Sequence, residues 1–132
     1  MPAALFKGQN FIDGQWRDGA VPFETVNPSD LDETVGTYTK VGEAEVAEAM
    51  DAARRALPAW SAFNMQARAD LLRKVGDLLI ARKQEIGTLL AREEGKTLAD
   101  GVGEAHRAGQ CFHYYSGEVL RATGEDYNSM RD

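Results

Sequence analysis

Hydrophobic and polar residues alternate in short runs as far as Gly42 and then recur at the three-to-four-residue spacing of helices. In the first part, the run from Phe11 to Trp16 has apolar ends on either side of Asp13-Gly14. Because this dipeptide favours the positive φ angles of a tight turn, the run is predicted to form a β-hairpin.

Two further strands are predicted before Gly42, over residues 23–26 and 33–39. Asn27-Pro28 should end the first of them, because proline cannot donate a hydrogen bond to a β-ladder. Strands this short need a larger structure to pair with or to pack on.

Four helices are predicted after Gly42. The first should end at Pro58, with Trp60 anchoring the connection, and the second should begin after the N-cap residue Asn64. Each has an apolar stripe along one face. The stripe of the first helix is Val46, Met50, Ala53 and Leu57, and that of the second is Leu71, Leu72, Val75, Leu78 and Leu79.

The third helix is predicted over residues 84–94, with Gly95 as the left-handed residue that ends it. Its apolar residues, expected to be buried, are Ile86, Leu89 and Leu90. The fourth is predicted over residues 98–121, with Gly124 closing the segment. Three glycines lie within it, namely Gly101, Gly103 and Gly109. Since each glycine costs up to about 1 kcal/mol of helix propensity, we expect them to mark close approach to another backbone.

A chain of 132 residues suits one domain. Its net charge of −6 and its dispersed basic residues argue against a nucleic-acid groove. No apolar run approaches the ~20 residues of a membrane span, and no signal peptide is recognised. The single cysteine, Cys111, allows no intramolecular disulfide, which is typical of a reducing compartment. We therefore expect a cytoplasmic protein without nucleic-acid or membrane partners.

Two segments resemble phosphate-binding loops without meeting their requirements. Gly95-Lys96-Thr97 resembles the end of a P-loop, but Leu90 stands where the first glycine is required. The run Gly101 to His106 begins like a dinucleotide fingerprint, but His106 stands in place of its third glycine. Both segments are predicted to be parts of helices and their junctions.

A cysteine–histidine site is not predicted either. His106 and His113 share a helix face, but Cys111 points about 160° away from His113 at ~100° per residue. The histidines are therefore interpreted as solvated or interface residues rather than zinc ligands. Cys111 is interpreted as a buried structural cysteine, and a nucleophile activated by His113 is the alternative.

Motifs along nearly the whole chain resemble the N-terminal region of the NAD(P)-dependent aldehyde dehydrogenase superfamily, in the same order and at the same spacing. They are residues 10–16, Thr25-Val26-Asn27-Pro28, residues 52–60, Arg68 with Leu71-Leu72, Glu94-Gly95-Lys96 and Tyr114-Tyr115-Ser116-Gly117. The α-ketoglutaric semialdehyde dehydrogenases are the most similar subgroup, on residues 93–97, Gly103-Glu104, Arg107-Ala108-Gly109 and Gly117-Glu118.

The resemblance implies an α/β family fold, of which this chain is the N-terminal part: short strands with a hairpin, followed by about four helices. Residues 1–41 would form a β-rich arm, residues 42–124 the helical part of the cofactor domain, and residues 125–132 the start of a linker to the remainder. The rival interpretation is a stand-alone structural or self-association module derived from this region. A third interpretation is a longer gene product of which this is one piece.

The resemblance also implies an oxidoreductase that converts an aldehyde, such as a carboxylated semialdehyde, to the acid with NAD or NADP, in a homo-oligomer. The family's catalytic cysteine, its oxyanion-binding asparagine, its glutamate base and its pyrophosphate-binding turn all lie downstream of the region seen here. No catalytic or cofactor-binding residue is therefore assigned, and Cys111 does not match the catalytic cysteine. We expect this chain alone to be inactive and to hold no cofactor.

Two ligand contacts are implied by the resemblance. Thr25, Val26 and Glu94 match positions that hold a monovalent cation in several family members, and oxygen ligands suit such an ion. The alternative is that Glu94 is a helix-end carboxylate. Arg107 matches a helix bordering the substrate entrance, where it could attract a substrate carboxylate. Its alternative is an arginine that pairs with Glu104 or is exposed to water.

Overall fold

The computed structural model describes residues 6–121 and residue 124, and it consists of five strands followed by four helices. The predicted linker at residues 125–132 lies outside the described residues. The strands are β1 (Phe6–Lys7), β2 (Asn10–Ile12), β3 (Gln15–Arg17), β4 (Val21–Asn27) and β5 (Asp30–Lys40). The helices are α1 (Glu43–Ser61), α2 (Met65–Ala81), α3 (Lys83–Glu94) and α4 (Leu98–Glu118). None of these helices combines the length and the apolar character that crossing a membrane requires.

Strands β2 and β3 form the predicted hairpin. Phe11 lies opposite Trp16 in the antiparallel ladder, and their ring centroids are 4.9 Å apart. Asp13 and Gly14 have φ angles of 52° and 78°, as the turn requires. The hairpin prediction is therefore confirmed.

The other three strands form one sheet in the order β1-β5-β4. Strand β4 pairs with β5 antiparallel, with a register shift after Thr25, and β1 pairs with β5 in parallel. Both predicted strands are confirmed and extend beyond their predicted ends. The central strand β5 carries Val35, whose side chain is fully buried.

Helix α1 continues through Pro58 to Ser61, so the predicted end at Pro58 is wrong. Proline removes one helical hydrogen bond, and so close to the end of the helix the remaining turn still closes, with Ala62 N–H donating to the Pro58 carbonyl at 3.1 Å. Trp60 is half exposed and stacks on Phe63, with ring centroids 5.8 Å apart.

The apolar stripe predicted along α1 is not covered by the described part of the chain, because α1 contains no buried residue. The side chains of Val46, Met50 and Leu57 are 51%, 53% and 59% exposed. Amphipathic spacing shows only that a helix has an apolar face; a covering element must come from the tertiary structure.

Helix α4 packs on α2 and α3 through small residues. A Cβ atom added at Gly76 of α2 would lie 2.8 Å from the Gly109 carbonyl oxygen of α4. A Cβ added at Gly101 would overlap the Gly87 carbonyl oxygen of α3. The predicted close approach is thus confirmed at Gly101 and Gly109, whereas Gly103 faces open space and the prediction is wrong there.

The buried face of α2 is formed by small residues and not by the large residues of its predicted apolar stripe. Ala69 and Gly76 are its buried residues, and they lie seven positions apart on the side that meets α4. Three members of the predicted stripe point away from this side of the helix and are exposed, and the other two are half-buried. The exposed members are Leu71, Val75 and Leu78, and the half-buried members are Leu72 and Leu79.

The helix ends follow local rules. The Asn64 side chain accepts hydrogen bonds from the backbone N–H groups of Gln66 and Ala67, which confirms it as the N-cap of α2. Gly95 has a φ angle of 73° and ends α3 as predicted. Helix α4 ends at Glu118, three residues before its predicted end. The apolar residues of α3 are half-buried, since Gly87 occupies its buried position; they are Ile86, Leu89 and Leu90.

Candidate functional site

The junction of α3 and α4 holds a lysine between two carboxylates. Because Gly95 turns the chain in a left-handed conformation, Lys96 follows directly after the end of α3. Its Nζ atom donates to Glu94 Oε2 and to Glu104 Oε1, both at 2.7 Å. The Glu104 carboxylate is the larger of the two causes that raise the pKa of Lys96, and Glu94 is the second. The two carboxylates thus balance the positive charge of Lys96. This lysine lies at a junction of two helices, whereas the lysine of a P-loop follows a strand.

The predicted cation ligands are distributed around this junction. Thr25 and Val26 lie near the end of β4, at the register shift of the β4–β5 ladder. Ser29, in the turn after β4, donates its hydroxyl to the Gly95 carbonyl oxygen at 3.0 Å. The end of β4 and the end of α3 are therefore joined, but the Glu94 carboxylate is engaged by Lys96. Within the described residues, no group of three or more histidine, cysteine, aspartate or glutamate side chains could hold a metal.

A shallow cleft of about 270 Å³ separates the β4–β5 turn from α3 and α4. One wall is Arg92, whose Nε donates to Glu33 Oε1 at 2.8 Å, and Glu33 Oε2 also accepts from Asn27 Nδ2 at 2.7 Å. The Asn27 hydrogen bond, followed by that of Arg92, lowers the pKa of Glu33. These three side chains connect α3 to both long strands.

A second polar contact joins the sheet to α3. The Tyr38 hydroxyl on β5 donates to Glu93 Oε1 at 2.8 Å. Burial is the main cause that raises the pKa of Tyr38, and the Glu93 carboxylate adds to it. Sequence reasoning missed Tyr38 and Arg92, because their partners lie 55 and 59 positions away and no local pattern connects them.

The exposed face of α4 carries a second shallow cavity, of about 280 Å³. Arg107, Cys111 and the Tyr114–Tyr115 pair line it, and the two tyrosine rings meet edge to face with centroids 5.3 Å apart. Glu104, the predicted alternative partner of Arg107, bonds to Lys96 with both carboxylate oxygens. Arg107 therefore presents an exposed guanidinium that makes no ion pair with any residue in the described part of the chain.

The predicted burial of Cys111 is wrong, because this thiol is exposed. Gly109 lies on the buried face of α4, and two further residues rotate the helix by about 200°. Cys111 therefore points to the opposite side. His113 does not serve it as a base in this structure, because its Nε2 atom lies 2.9 Å from Asp77 Oδ1 on α2. The interpretation of His113 as an interface histidine is confirmed.

Comparison with known proteins gives a consistent result. Residues 16–132 match the "Aldehyde dehydrogenase family". The glutarate-semialdehyde dehydrogenase of Pseudomonas putida is 34% identical over 125 residues, which are 93% of this chain and 26% of that protein. The N-succinylglutamate 5-semialdehyde dehydrogenase of Burkholderia mallei is 42% identical over 129 residues, with 92% and 26% of the two chains covered.

The solved structures agree with the sequence relatives. The aldehyde dehydrogenase of Brucella melitensis biovar abortus 2308 superposes with a TM-score of 0.89 at 32% identity, over 94% of this chain and 26% of that one. The chain thus spans about a quarter of the length of the relatives it matches. Its strands and four helices correspond to the same arrangement in that structure. On the match of residues 16–132 and on these similarities, the chain belongs to the aldehyde dehydrogenase family.

Proposed function

We propose that this chain forms the N-terminal part of an NAD- or NADP-dependent enzyme that oxidises a carboxylated semialdehyde to the acid. The family match over residues 16–132 carries this proposal, together with relatives named for glutarate semialdehyde and N-succinylglutamate 5-semialdehyde. Both of those names denote an aldehyde attached to a carboxylated chain. Solved relatives include NAD-dependent and NADP-dependent enzymes, so either cofactor is consistent with the proposal.

Within such an enzyme, this chain would supply the framework rather than the reacting groups. Helices α2 and α3 pack on α4 through Gly76, Gly87, Gly101 and Gly109, and the cavity beside Arg107 lies on the outer face of α4. We propose that Arg107 attracts the carboxylate of the substrate, because a guanidinium that makes no ion pair with any described residue is able to bind an incoming carboxylate with two parallel hydrogen bonds. We expect the chain alone to bind no NAD(P) and to oxidise no aldehyde.

The proposal is tested with a chimera. Residues 1–132 replace the matching quarter of the Pseudomonas putida relative, and reduction of NAD⁺ and NADP⁺ is followed with glutarate semialdehyde. We expect activity from the chimera and none from the 132-residue chain. A folded chimera without activity, measured beside an active parent enzyme, would refute the proposal. Oxidation by the isolated chain would refute the expectation that it is inactive.

The remaining expectations concern assembly and location. We propose that the enzyme is a homo-oligomer in the cytoplasm, as the family resemblance implies, and sedimentation of the active chimera tests the oligomeric state.

The predicted cation site of Thr25, Val26 and Glu94 requires Glu94 to release Lys96, to which it is bonded at 2.7 Å. The second candidate function, a self-association module, is favoured by the exposed apolar face of α1.

A further inference from the structure

The carboxylate of Glu104 lies within reach of two basic side chains. Lys96, in the junction between α3 and α4, donates through Nζ to both of its oxygens at 2.7 Å. Arg107 follows Glu104 by three positions on α4, and residues at this spacing are neighbours on the surface of a helix. Lys96 and Arg107 therefore compete for one carboxylate, and in this structure Lys96 binds it.

Glu104 is also the one carboxylate that lies a single helical turn from Arg107. The residues three or four positions away from Arg107 along α4 are Gly103, Glu104, Gln110 and Cys111. Opposite charges three positions apart on a helix attract each other, so Glu104 is the natural local partner of this arginine. Arg107 nevertheless makes no ion pair with any residue of the described part of the chain.

The surroundings of Lys96 favour its ion pair over the alternative. The Lys96 side chain is only 20% exposed, so salt and water screen its charge less than they screen the charge of an arginine on the outer face of α4. Nζ also donates to Glu94 Oε2 at 2.7 Å, which places this ammonium between two carboxylates. Glu104 first, and Glu94 second, raise the pKa of Lys96, so this lysine stays charged at neutral pH.

We propose that Lys96 leaves the Arg107 guanidinium free for a substrate carboxylate by binding Glu104. Lys96 and Glu104 are then positioning residues for carboxylated aldehydes, and they act through Arg107 rather than by contact with the substrate. The inference rests on the proposed function, in which Arg107 attracts the substrate. Without Lys96, the like charges of Glu94 and Glu104 would repel each other, and Glu104 would pair with Arg107 instead.

The first test is made on the 132-residue chain and on the chimera, and it does not depend on oxidation. Phenylglyoxal modifies free guanidinium groups, and mass spectrometry of the peptides gives the rate at Arg107 relative to the exposed Arg73 of α2. We expect Lys96→Met to slow the reaction at Arg107 about twofold, because an exposed pair at this spacing is weak. Glu104→Gln, added to Lys96→Met, should restore the parent rate, since a neutral amide forms no ion pair.

Two controls separate this exchange of partners from a general disturbance of the α3–α4 junction. Lys74→Met removes an exposed lysine from α2 and should leave the rate at Arg107 unchanged. The slowing caused by Lys96→Met should shrink in about 1 M NaCl, because salt screens an exposed ion pair. A structural effect of the lost lysine would persist in salt and would not be reversed by Glu104→Gln. Equal circular dichroism spectra confirm that the variants are folded.

The second test is steady-state kinetics of the active chimera with glutarate semialdehyde and with an uncharged aldehyde of similar length. Lys96→Met should raise KM for glutarate semialdehyde about twofold, with kcat and the KM of the uncharged aldehyde unchanged. The added Glu104→Gln should return the KM of glutarate semialdehyde to the parent value. Equal rises of KM for both aldehydes would overturn the inference, because Lys96 would then act on something other than the carboxylate.

The outcomes of the two tests distinguish this inference from the proposed function. A modification rate at Arg107 that Lys96→Met leaves unchanged would overturn the inference, whatever the activity of the chimera. A slowing that Glu104→Gln does not reverse would overturn it as well. An inactive chimera in which Arg107 still responds to both substitutions would refute the proposed function alone, because the competition for Glu104 would stand.

Discussion

Arg92 of α3 and Glu33 of β5, 59 positions apart in the chain, form an ion pair of 2.8 Å that joins the helical part to the sheet. The Arg92 side chain is only 16% exposed, and Asn27 of β4 bonds to the same carboxylate. Helix α3 also contacts the sheet through the Tyr38–Glu93 hydrogen bond. These polar contacts therefore contribute to fixing the position of the sheet relative to α3.

Arg92→Ala should lower the melting temperature by several degrees, because it leaves the Glu33 carboxylate without its charged partner. Arg82→Ala is the matched control, since Arg82 pairs with Glu85 only three residues away on an exposed surface. Exposed local pairs contribute little to stability, so this variant should melt close to the parent protein. Thermal unfolding followed by circular dichroism gives both values. Equal melting temperatures for the two variants would contradict the role of the Arg92–Glu33 pair.

The same carboxylate predicts how stability depends on pH. The pKa of Glu33 is lowered in the folded protein from its ordinary value of 4.5, by Asn27 first and Arg92 second. Its contribution is therefore fully present above about pH 4.5 and is lost as the pH falls through the folded pKa. Glu33→Gln should be less stable than the parent protein at pH 7, and the difference should shrink below pH 4.5. A difference that stays constant down to pH 3 would contradict this assignment; Glu43→Gln serves as the control.

The glycines of α4 should respond to alanine in opposite directions. A Cβ at Gly109 would lie 2.6 Å from an Ile80 side-chain carbon and 2.9 Å from the Gly76 carbonyl oxygen, so Gly109→Ala should destabilise by about 1–3 kcal/mol. Gly103 has nothing within 4 Å, so Gly103→Ala should stabilise by up to about 1 kcal/mol through helix propensity. Urea unfolding measures the free energy of unfolding of both variants. If the two variants shifted stability in the same direction, the packing of α2 on α4 would differ from that described.

Arg107→Ala, made in the active chimera, should raise KM for a carboxylated aldehyde more than for an uncharged one. The reason is that Arg107 has no ion-pair partner among the described residues and so can pair with an incoming carboxylate. Steady-state kinetics with glutarate semialdehyde and with an uncharged aldehyde of similar length measure the difference. Arg73→Ala, which removes an exposed arginine from α2, should affect neither substrate. Equal effects of Arg107→Ala on the KM of both substrates would contradict a role of Arg107 in binding the substrate carboxylate.

The ion pair of Glu94 with Lys96 predicts the behaviour of the isolated chain toward monovalent cations. With its carboxylate engaged at 2.7 Å, Glu94 should act as a helix-end group, and replacing NaCl by choline chloride at equal ionic strength should leave the melting temperature unchanged. Sodium-dependent stabilisation that Glu94→Gln abolishes would instead establish the cation site with Thr25 and Val26.

The candidate site residues divide between those that sequence alone indicated and those that only the structure revealed. Glu94 and Arg107 could be singled out because they match family motifs. The structure then showed that Glu94 pairs with Lys96 and that Arg107 makes no ion pair with a described residue. The contacts of Tyr38 and Glu33 with α3 had no such signal. The exposure of Cys111 also depends on which face of α4 its glycines bury, and sequence reasoning placed the cysteine on the wrong side.

The sequence by itself determined the features that depend on neighbours along the chain. Asp13-Gly14 forms the hairpin turn, Asn64 begins α2 and Gly95 ends α3, because backbone conformation and capping hydrogen bonds act within a few residues. Tertiary structure alone decided which apolar faces are covered. Glycines and alanines took the buried positions between the helices, and the apolar face of α1 was left exposed, because burial depends on what lies opposite a residue in space.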